Sequence, residues 1–463
     1  MSNCIGYTRP FKLDATLVTM PDAFTFLDGS FVSSLVDWKR RQEEIANMYQ
    51  YYVYGIKRCG ERVSYENLPF GTIRYFDWAS RKWVTTIEQE SDTKKFVKLI
   101  VKQDNKEGSY EININLPSAE GLSHKGGYPV FIEIGRLNES VRTYLHSKGY
   151  ATIEFCPTDV ASDDDKHIGA FYNLYEYGSA WEEQTGVLMA WGWGVSKIID
   201  FLERAGVKTW LGINPHITIV NGVSRYGKAA AVAGAFDHRI TVTAPACSGA
   251  GGMTAFRYVS EGLSFDYSSL RKEEFIDFQG EKEGTVTWEN YQTQKGKMHT
   301  VSTNQSFTHF GLDSNGGWVN ENYKEFTDVR QFPLDQHLLA ALCAEEGRYV
   351  YITTEVVGGD WINGAGTYAT YLEATKIFKA LGLGDQIKTH IHAVGHAFTK
   401  INAEYLIQFC EQNLYNNIRG ERDLTNLTTS VYEDNGNRIV FDTVYNCIKS
   451  HTSHFYRGNY ETQ

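Results

Sequence analysis

Short runs of β-branched and aromatic residues, bounded by Gly or Pro, recur along the second half of the chain. They are Val130-Phe-Ile-Glu-Ile134, Ala151-Thr-Ile-Glu-Phe155, Ile217-Thr-Ile-Val220, Ile240-Thr-Val-Thr243, Tyr349-Val-Tyr-Ile352 and Thr389-His-Ile-His392. Helical spacing fills most of the intervals, most clearly from Gly186 to Arg204. Buried strands alternating with helices predict a mostly parallel sheet covered on both faces. Upstream lies a β-rich stretch, with Thr72–Tyr75, Trp83–Ile87 and Phe96–Val101 as expected strands. Residues 1 to about 60 read as an N-terminal decoration, with a turn at Leu27-Asp-Gly29 and helical period from Val36 to Tyr54. Residues 265–330 are polar, aromatic and weakly periodic, and are expected to form long loops walling a site. The expected whole is one domain, residues 1–463, without repeats or linkers.

Parallel sheets place ligands beyond the carboxyl ends of their strands. One such end stands out. Ile217–Val220 runs through Asn221-Gly-Val-Ser-Arg-Tyr-Gly-Lys228 into the small-residue run Ala229–Phe236. A serine on a sharp strand-to-helix turn exposes its hydroxyl, and amides at the helix start can face a developing oxyanion. The spacing is Gly222-x-Ser224-x-x-Gly227, one residue longer than the common Gly-x-Ser-x-Gly, and read alone it also suits an ordinary connection.

In an α/β-hydrolase the order along the chain is serine, acid, histidine. Past the last strand, Ala393-Val-Gly-His396 supplies the histidine, whereas His390 and His392 lie within the strand and read as structural. A metal reading of His390-x-His392-x-x-x-His396 lacks a carboxylate at ligand spacing, so no metal and no cofactor is expected. The acid has two candidate places. The strand after Ser224 ends at Cys247, and a thiol of pKa ~8.5 substitutes poorly for a carboxylate. The penultimate strand leads into Glu355-Val-Val-Gly-Gly-Asp360-Trp361. Asp360, in a glycine turn that can bend back, is the expected acid. Glu355, almost on the strand end, is the reserve.

The net charge of -11 argues against nucleic acid, and no segment approaches the ~18 apolar residues of a membrane span. An aromatic share of 14% suits stacking on sugar rings. The seven cysteines show no metal or redox spacing and read as buried apolar side chains rather than a disulfide framework. Met1–Pro10 lacks the blocks of a signal peptide, leaving open a cytoplasmic protein or an exported one whose signal is outside this sequence.

Several segments together resemble the glucuronoyl esterases, carbohydrate esterase family 15. They are Pro21–Gly29, Asp37-Trp38 through Tyr54-Gly55, Gly169–Tyr175, Met189–Ser196, Gly222–Lys228, Ser248–Gly252 and Pro333–His337. The resemblance implies an α/β-hydrolase fold, a three-layer αβα sandwich with an N-terminal extension and loop insertions. It implies cleavage of esters between glucuronic acid on xylan and lignin alcohols, with Ser224 as nucleophile and His396 as base. Arg225 then matches the arginine that stabilises the oxyanion, and Lys228 the lysine that binds sugar hydroxyls. Trp318, Gln331 or its neighbours, and Trp361 fall in segments lining the uronate pocket, and Glu261 falls near a sugar-binding glutamate. Many relatives carry a glutamate where this chain has Cys247, and some bacterial members use an alternative position, which favours Asp360. Fungal members carry a disulfide-bonded cysteine where this chain has Val223, which points to the bacterial branch. Expected partners are a glucuronoxylan or lignin–carbohydrate ester substrate only, on a monomer that is secreted or periplasmic. The alternatives are an esterase for other sugar or small-acid esters, and an inactive carbohydrate-binding relative.

Overall fold

A computed structural model describes residues 20–77, 80, 82–118, 126–257, 263–266, 298–301, 310, 317–326, 329–355, 362–392 and 396–415. Thirteen strands lie among them: β1 (Arg62–Leu68), β2 (Phe70–Asp77), β3 (Lys82–Gln89), β4 (Lys94–Gln103), β5 (Lys106–Asn115), β6 (Tyr128–Ile134) and β7 (Ala151–Phe155). They continue with β8 (Ile213–Val223), β9 (Val242–Ala246), β10 (Leu263–Asp266), β11 (Met298–Val301), β12 (Tyr349–Glu355) and β13 (Ile387–His392). Nine of them form one mixed sheet in the order β1-β4-β5-β7-β6-β8-β9-β12-β13. From β7 to β13 every pairing is parallel, while β1, β4 and β5 join antiparallel at one edge. β2 and β3 form a separate hairpin, and β10 and β11 a separate pair.

Successive residues of a strand point to opposite faces, so one run feeds two cores. Val130 and Ile132 belong to one cluster and Phe131 to the other; Val220 and Ile219, then Ile352 and Tyr351, divide the same way. Helices Val187–Leu202, Arg225–Phe236 and Gly364–Ala380 cover the first face, and Glu139–Ser147 and Lys400–Tyr415 the second. Helices on both faces are why these strands carry continuous apolar runs.

All nine strands expected from the sequence are present, with the one placed at 240–243 starting two residues later. β10 and β11 were not expected, the second lying within the stretch read as loops, and neither were β1 and β5. The latter two alternate polar and apolar residues at the antiparallel edge, where one face meets solvent.

The stretch expected as a decoration is packed into the main core. Helix Leu35–Tyr49 buries Trp38, Ile45, Met48 and Tyr49, and its last turn widens into a π-helix, Gln50–Tyr54. Asp37 lies in the first turn, where Ser34 caps the helix by accepting from its amide. Most of residues 265–330 lies outside the described residues, so the expected loop wall goes unseen. Cys156, Cys247, Cys343 and Cys410 are buried thiols, as expected of small apolar side chains. Cys59 departs from that expectation, being disulfide-bonded. No helix among the described residues is long and apolar enough to cross a membrane.

Candidate active site

The register of the parallel strands brings four side chains to one edge. Val223 at the end of β8 pairs with Ala246 at the end of β9, which pairs with Thr353 of β12. Glu355, two residues on, pairs with His392, the last residue of β13. Ser224, Cys247 and Glu355 therefore stand at the carboxyl ends of three adjacent strands, spaced about 4.8 Å apart, and His396 meets Glu355 there.

Ser224 has φ 63° and ψ −125°, a conformation L-residues avoid and one that costs on the order of 1–3 kcal/mol. Its amide donates to Ala246 O at 2.9 Å, and its carbonyl accepts from Lys228 N at 3.0 Å. Two glycines permit the bend. A Cβ on Gly222 would lie 2.5 Å from Tyr226 O, and one on Gly227 2.5 Å from Ala246 O and 2.9 Å from Gly222 O. The longer Gly-x-Ser-x-x-Gly spacing is thus explained: the second glycine lies one helical residue further, where helix Arg225–Phe236 presses on β9. The small-residue run continues that contact, since a Cβ on Gly234 would overlap Thr243.

His396 Nδ1 lies 2.7 Å from Glu355 Oε1. A carboxylate only accepts, so Nδ1 carries the proton and Nε2 keeps a lone pair directed elsewhere. Glu355 is fully buried and His396 partly so. The reserve acid is thus set against the imidazole, and the preferred one, Asp360, lies outside the described residues. Limited reach does not count against Glu355, because His396 itself lies against its carboxylate at the end of β12. Cys247 has φ 46°, and its Sγ lies 3.9 Å from both His392 Nε2 and Ala397 O. Donor atoms of Cys247, Glu355 and His396 all lie within 4.8 Å of one another.

Next to Ser224, the Arg225 guanidinium pairs with Asp163 and sits 5.2 Å from the Trp318 ring centroid. Trp318 Nε1 donates to the other oxygen of Asp163 at 2.8 Å. Asp163 thereby fixes both an arginine and an aromatic wall. It was not singled out from sequence, although it follows β7 in the strand-end zone where ligand residues are expected. Trp318 is buried rather than at a rim. Lys228 is buried too, and its ammonium donates to Ser248 O and Ala250 O, each at 2.6 Å. Burial, reinforced by the neighbouring Arg225, pushes its pKa well below the ordinary lysine value.

Those carbonyls belong to Ser248-Gly-Ala-Gly-Gly252, the loop that follows Cys247. Tyr54 OH donates to Gly251 O at 2.9 Å and Gln336 Nε2 to Gly252 O at 2.6 Å, so the π-helix and the Pro333–His337 segment both brace it. Asp335 accepts from Phe256 N and pairs with Arg257, both side chains fully buried. Gln331 is exposed in a 3-10 turn. Glu261 and Trp361 lie outside the described residues. His390 and His392 are buried in β13, and His390 Nδ1 lies 3.3 Å from Asn402 Nδ2.

The family described as "Glucuronyl esterase, fungi" matches residues 99–277. A solved glucuronoyl esterase of carbohydrate esterase family 15 from Caldicellulosiruptor kristjansonii is 32% identical. It superposes with a TM-score of 0.65, covering 91% of this chain and 99% of its own. The Multidomain esterase of Ruminococcus flavefaciens is 36% identical over 420 residues, 89% of this chain. The 4-O-methyl-glucuronoyl methylesterase of Podospora anserina is 30% identical over 368 residues, 79% of this chain. The chain spans 48% and 60% of the length of those two curated relatives.

Proposed function

The chain belongs to carbohydrate esterase family 15, the glucuronoyl esterases, and on that premise we propose that it hydrolyses glucuronoyl esters through a serine acyl-enzyme. The observation that carries this reading is the Glu355–His396 hydrogen bond at the sheet edge that also holds the strained Ser224 elbow. The fold then reads as an α/β-hydrolase, one catalytic unit with helices on both faces of its sheet.

In the first step the Ser224 hydroxyl attacks the carbonyl carbon at the sugar's C6 while His396 Nε2 takes its proton. The doubly protonated imidazole is stabilised by Glu355, which also holds the tautomer that began the step. Negative charge on the carbonyl oxygen meets the Arg225 guanidinium and the first amides of helix Arg225–Phe236. Collapse expels the alcohol, which takes the proton from His396. A water deprotonated by the same nitrogen then attacks the acyl-serine and releases the uronate.

Asp163 holds both Arg225 and Trp318, and the buried indole in turn backs the guanidinium beside the elbow. Lys228, donating to Ser248 O and Ala250 O, ties the helix after Ser224 to the loop after Cys247. The substrate class is a glucuronoxylan or lignin–carbohydrate ester, cleaved by a monomer outside the cytoplasm; the disulfide at Cys59 supports an oxidising compartment.

The test is hydrolysis of methyl glucuronate beside release of acetate from acetylated xylan, by the parent protein and Ser224→Ala. The expected result is turnover of the uronate ester only, falling by about 10⁶ in the variant. Turnover of acetylated xylan alone would move the substrate to other sugar esters. No loss in the variant would remove Ser224 from the chemistry.

A further inference from the structure

We propose that Cys247, Glu355 and His396 form a binding site for a thiophilic divalent cation, Zn²⁺ or Cd²⁺, whose occupancy reversibly blocks the catalytic pair. One donor atom from each residue lies within 4.8 Å of the other two, and the three residues come from the ends of adjacent strands. Zinc takes thiolate, imidazole and carboxylate ligands at about 2.0–2.3 Å, which at tetrahedral angles separates the donors by about 3.3–3.7 Å. Closing the present arrangement onto an ion therefore needs movements of about an ångström.

A second observation points to a ligand at the same place. Glu355 is fully buried, and its Oε2 has no hydrogen-bond partner among the described residues. A buried carboxylate oxygen left without a partner carries a desolvation cost that a cation would relieve. The mixed sulfur, nitrogen and oxygen set favours a borderline or soft ion over Mg²⁺ or Ca²⁺. His396 is partly exposed, which gives an ion a path from solvent. Binding transfers the thiol proton to solvent, and also the imidazole proton where Nδ1 is the ligand. The ion then engages the acid and the base at once, and ester hydrolysis stops. A chelator returns both groups to their metal-free state.

The inhibitory half rests on the catalytic reading above; the binding half does not. The experiment titrates the whole chain with Cd²⁺, following the thiolate-to-cadmium charge-transfer absorption, and in parallel measures methyl glucuronate turnover with and without EDTA. Cys247→Ala and Cys247→Ser are each compared with their own metal-free rate. The expected result is one equivalent bound, with absorption and inhibition sharing a midpoint and EDTA restoring turnover. Both variants should lose the band while keeping Cys156, Cys343 and Cys410, and should need on the order of 100-fold more metal for inhibition. An unchanged midpoint in either variant would overturn the site, as would a full band with undiminished turnover. A parent protein that shows the band but no turnover at any metal concentration would sink the esterase reading and leave the metal site standing.

Discussion

Glu355→Gln is the substitution that most directly tests the catalytic pair. The carboxylate is fully buried and lies 2.7 Å from His396 Nδ1, so the replacement keeps the shape and removes the charge. During attack the imidazole becomes cationic with its charge centre about 4 Å from the carboxylate. At an effective dielectric near 20 that pairing is worth about 4 kcal/mol. Lost in the transition state, it lowers kcat by about 10³. A second loss follows if the glutamine amide turns its N–H toward Nδ1, because the proton must then sit on Nε2, the wrong nitrogen for a base. Wrong-tautomer substitutions in serine hydrolases cost about 10⁴. The expected fall in kcat is therefore between about 10³ and 10⁴, with little change in KM, since Glu355 is buried behind the histidine. The assay is steady-state release of methanol from methyl glucuronate, with circular dichroism to confirm an intact fold. If kcat falls by less than about tenfold while Asp360→Asn falls by about 10³, the orienting acid is Asp360 and the pairing is structural.

Gly227→Ala would set a methyl group 2.5 Å from the Ala246 carbonyl, which only backbone movement can relieve; a loss of about 1–3 kcal/mol in urea denaturation should accompany loss of activity. Arg225→Ala should lower kcat by about 10²–10³, and Arg225→Lys should recover only part of it, because a point charge cannot both reach Asp163 and lie flat on Trp318. Burial, and then the neighbouring Arg142, push the His146 pKa down to about 4. The unfolded chain then takes up this proton from about pH 6.5 downward while the folded one does not, so stability present above pH 6.5 is lost as pH falls toward 4. The full shift corresponds to about 3 kcal/mol, screened to about 1–2 by partial exposure; His146→Gln should flatten the change in urea stability between pH 7 and 4.5 by that amount, and an unchanged slope would refute the assignment.

The parallel half of the sheet was legible because both its faces are buried. Tyr349–Ile352 and Val130–Ile134 are apolar at every position but Glu133, and such runs read clearly without neighbours. The antiparallel edge read less well. Arg62-Val-Ser-Tyr-Glu-Asn-Leu68 has one fully buried side chain, and Lys106-Glu-Gly-Ser opens β5 with polar residues, so each needs its partner strand to be recognised. Packing of the N-terminal helix was hidden for a different reason. Its anchors are long-range: Trp38 Nε1 donates to Ala344 O and Tyr49 OH to Asp335 O, some 300 positions away in the first case, and no local pattern marks such contacts.

The site shows the same division between local and distant information. Ser224 was readable because its requirements are local: a strand, two glycines and a run of small residues, all between Ile217 and Phe236. The choice between Glu355 and Asp360 is not local, because it depends on where His396 lies relative to the end of β12. In the fold Glu355 stays on its strand, paired in register with His392, and His396 Nδ1 lies 2.7 Å from its carboxylate. That arrangement also changes the standing of Cys247. Judged as a substitute acid it has little to offer, yet its position at the neighbouring strand end puts a thiol within 4.8 Å of the proposed acid and base. A carboxylate there would repel Glu355, whereas a thiol adds no charge. Its presence is consistent with a site that keeps one buried acid rather than two, and it gives that site a sulfur ligand that a second carboxylate would not.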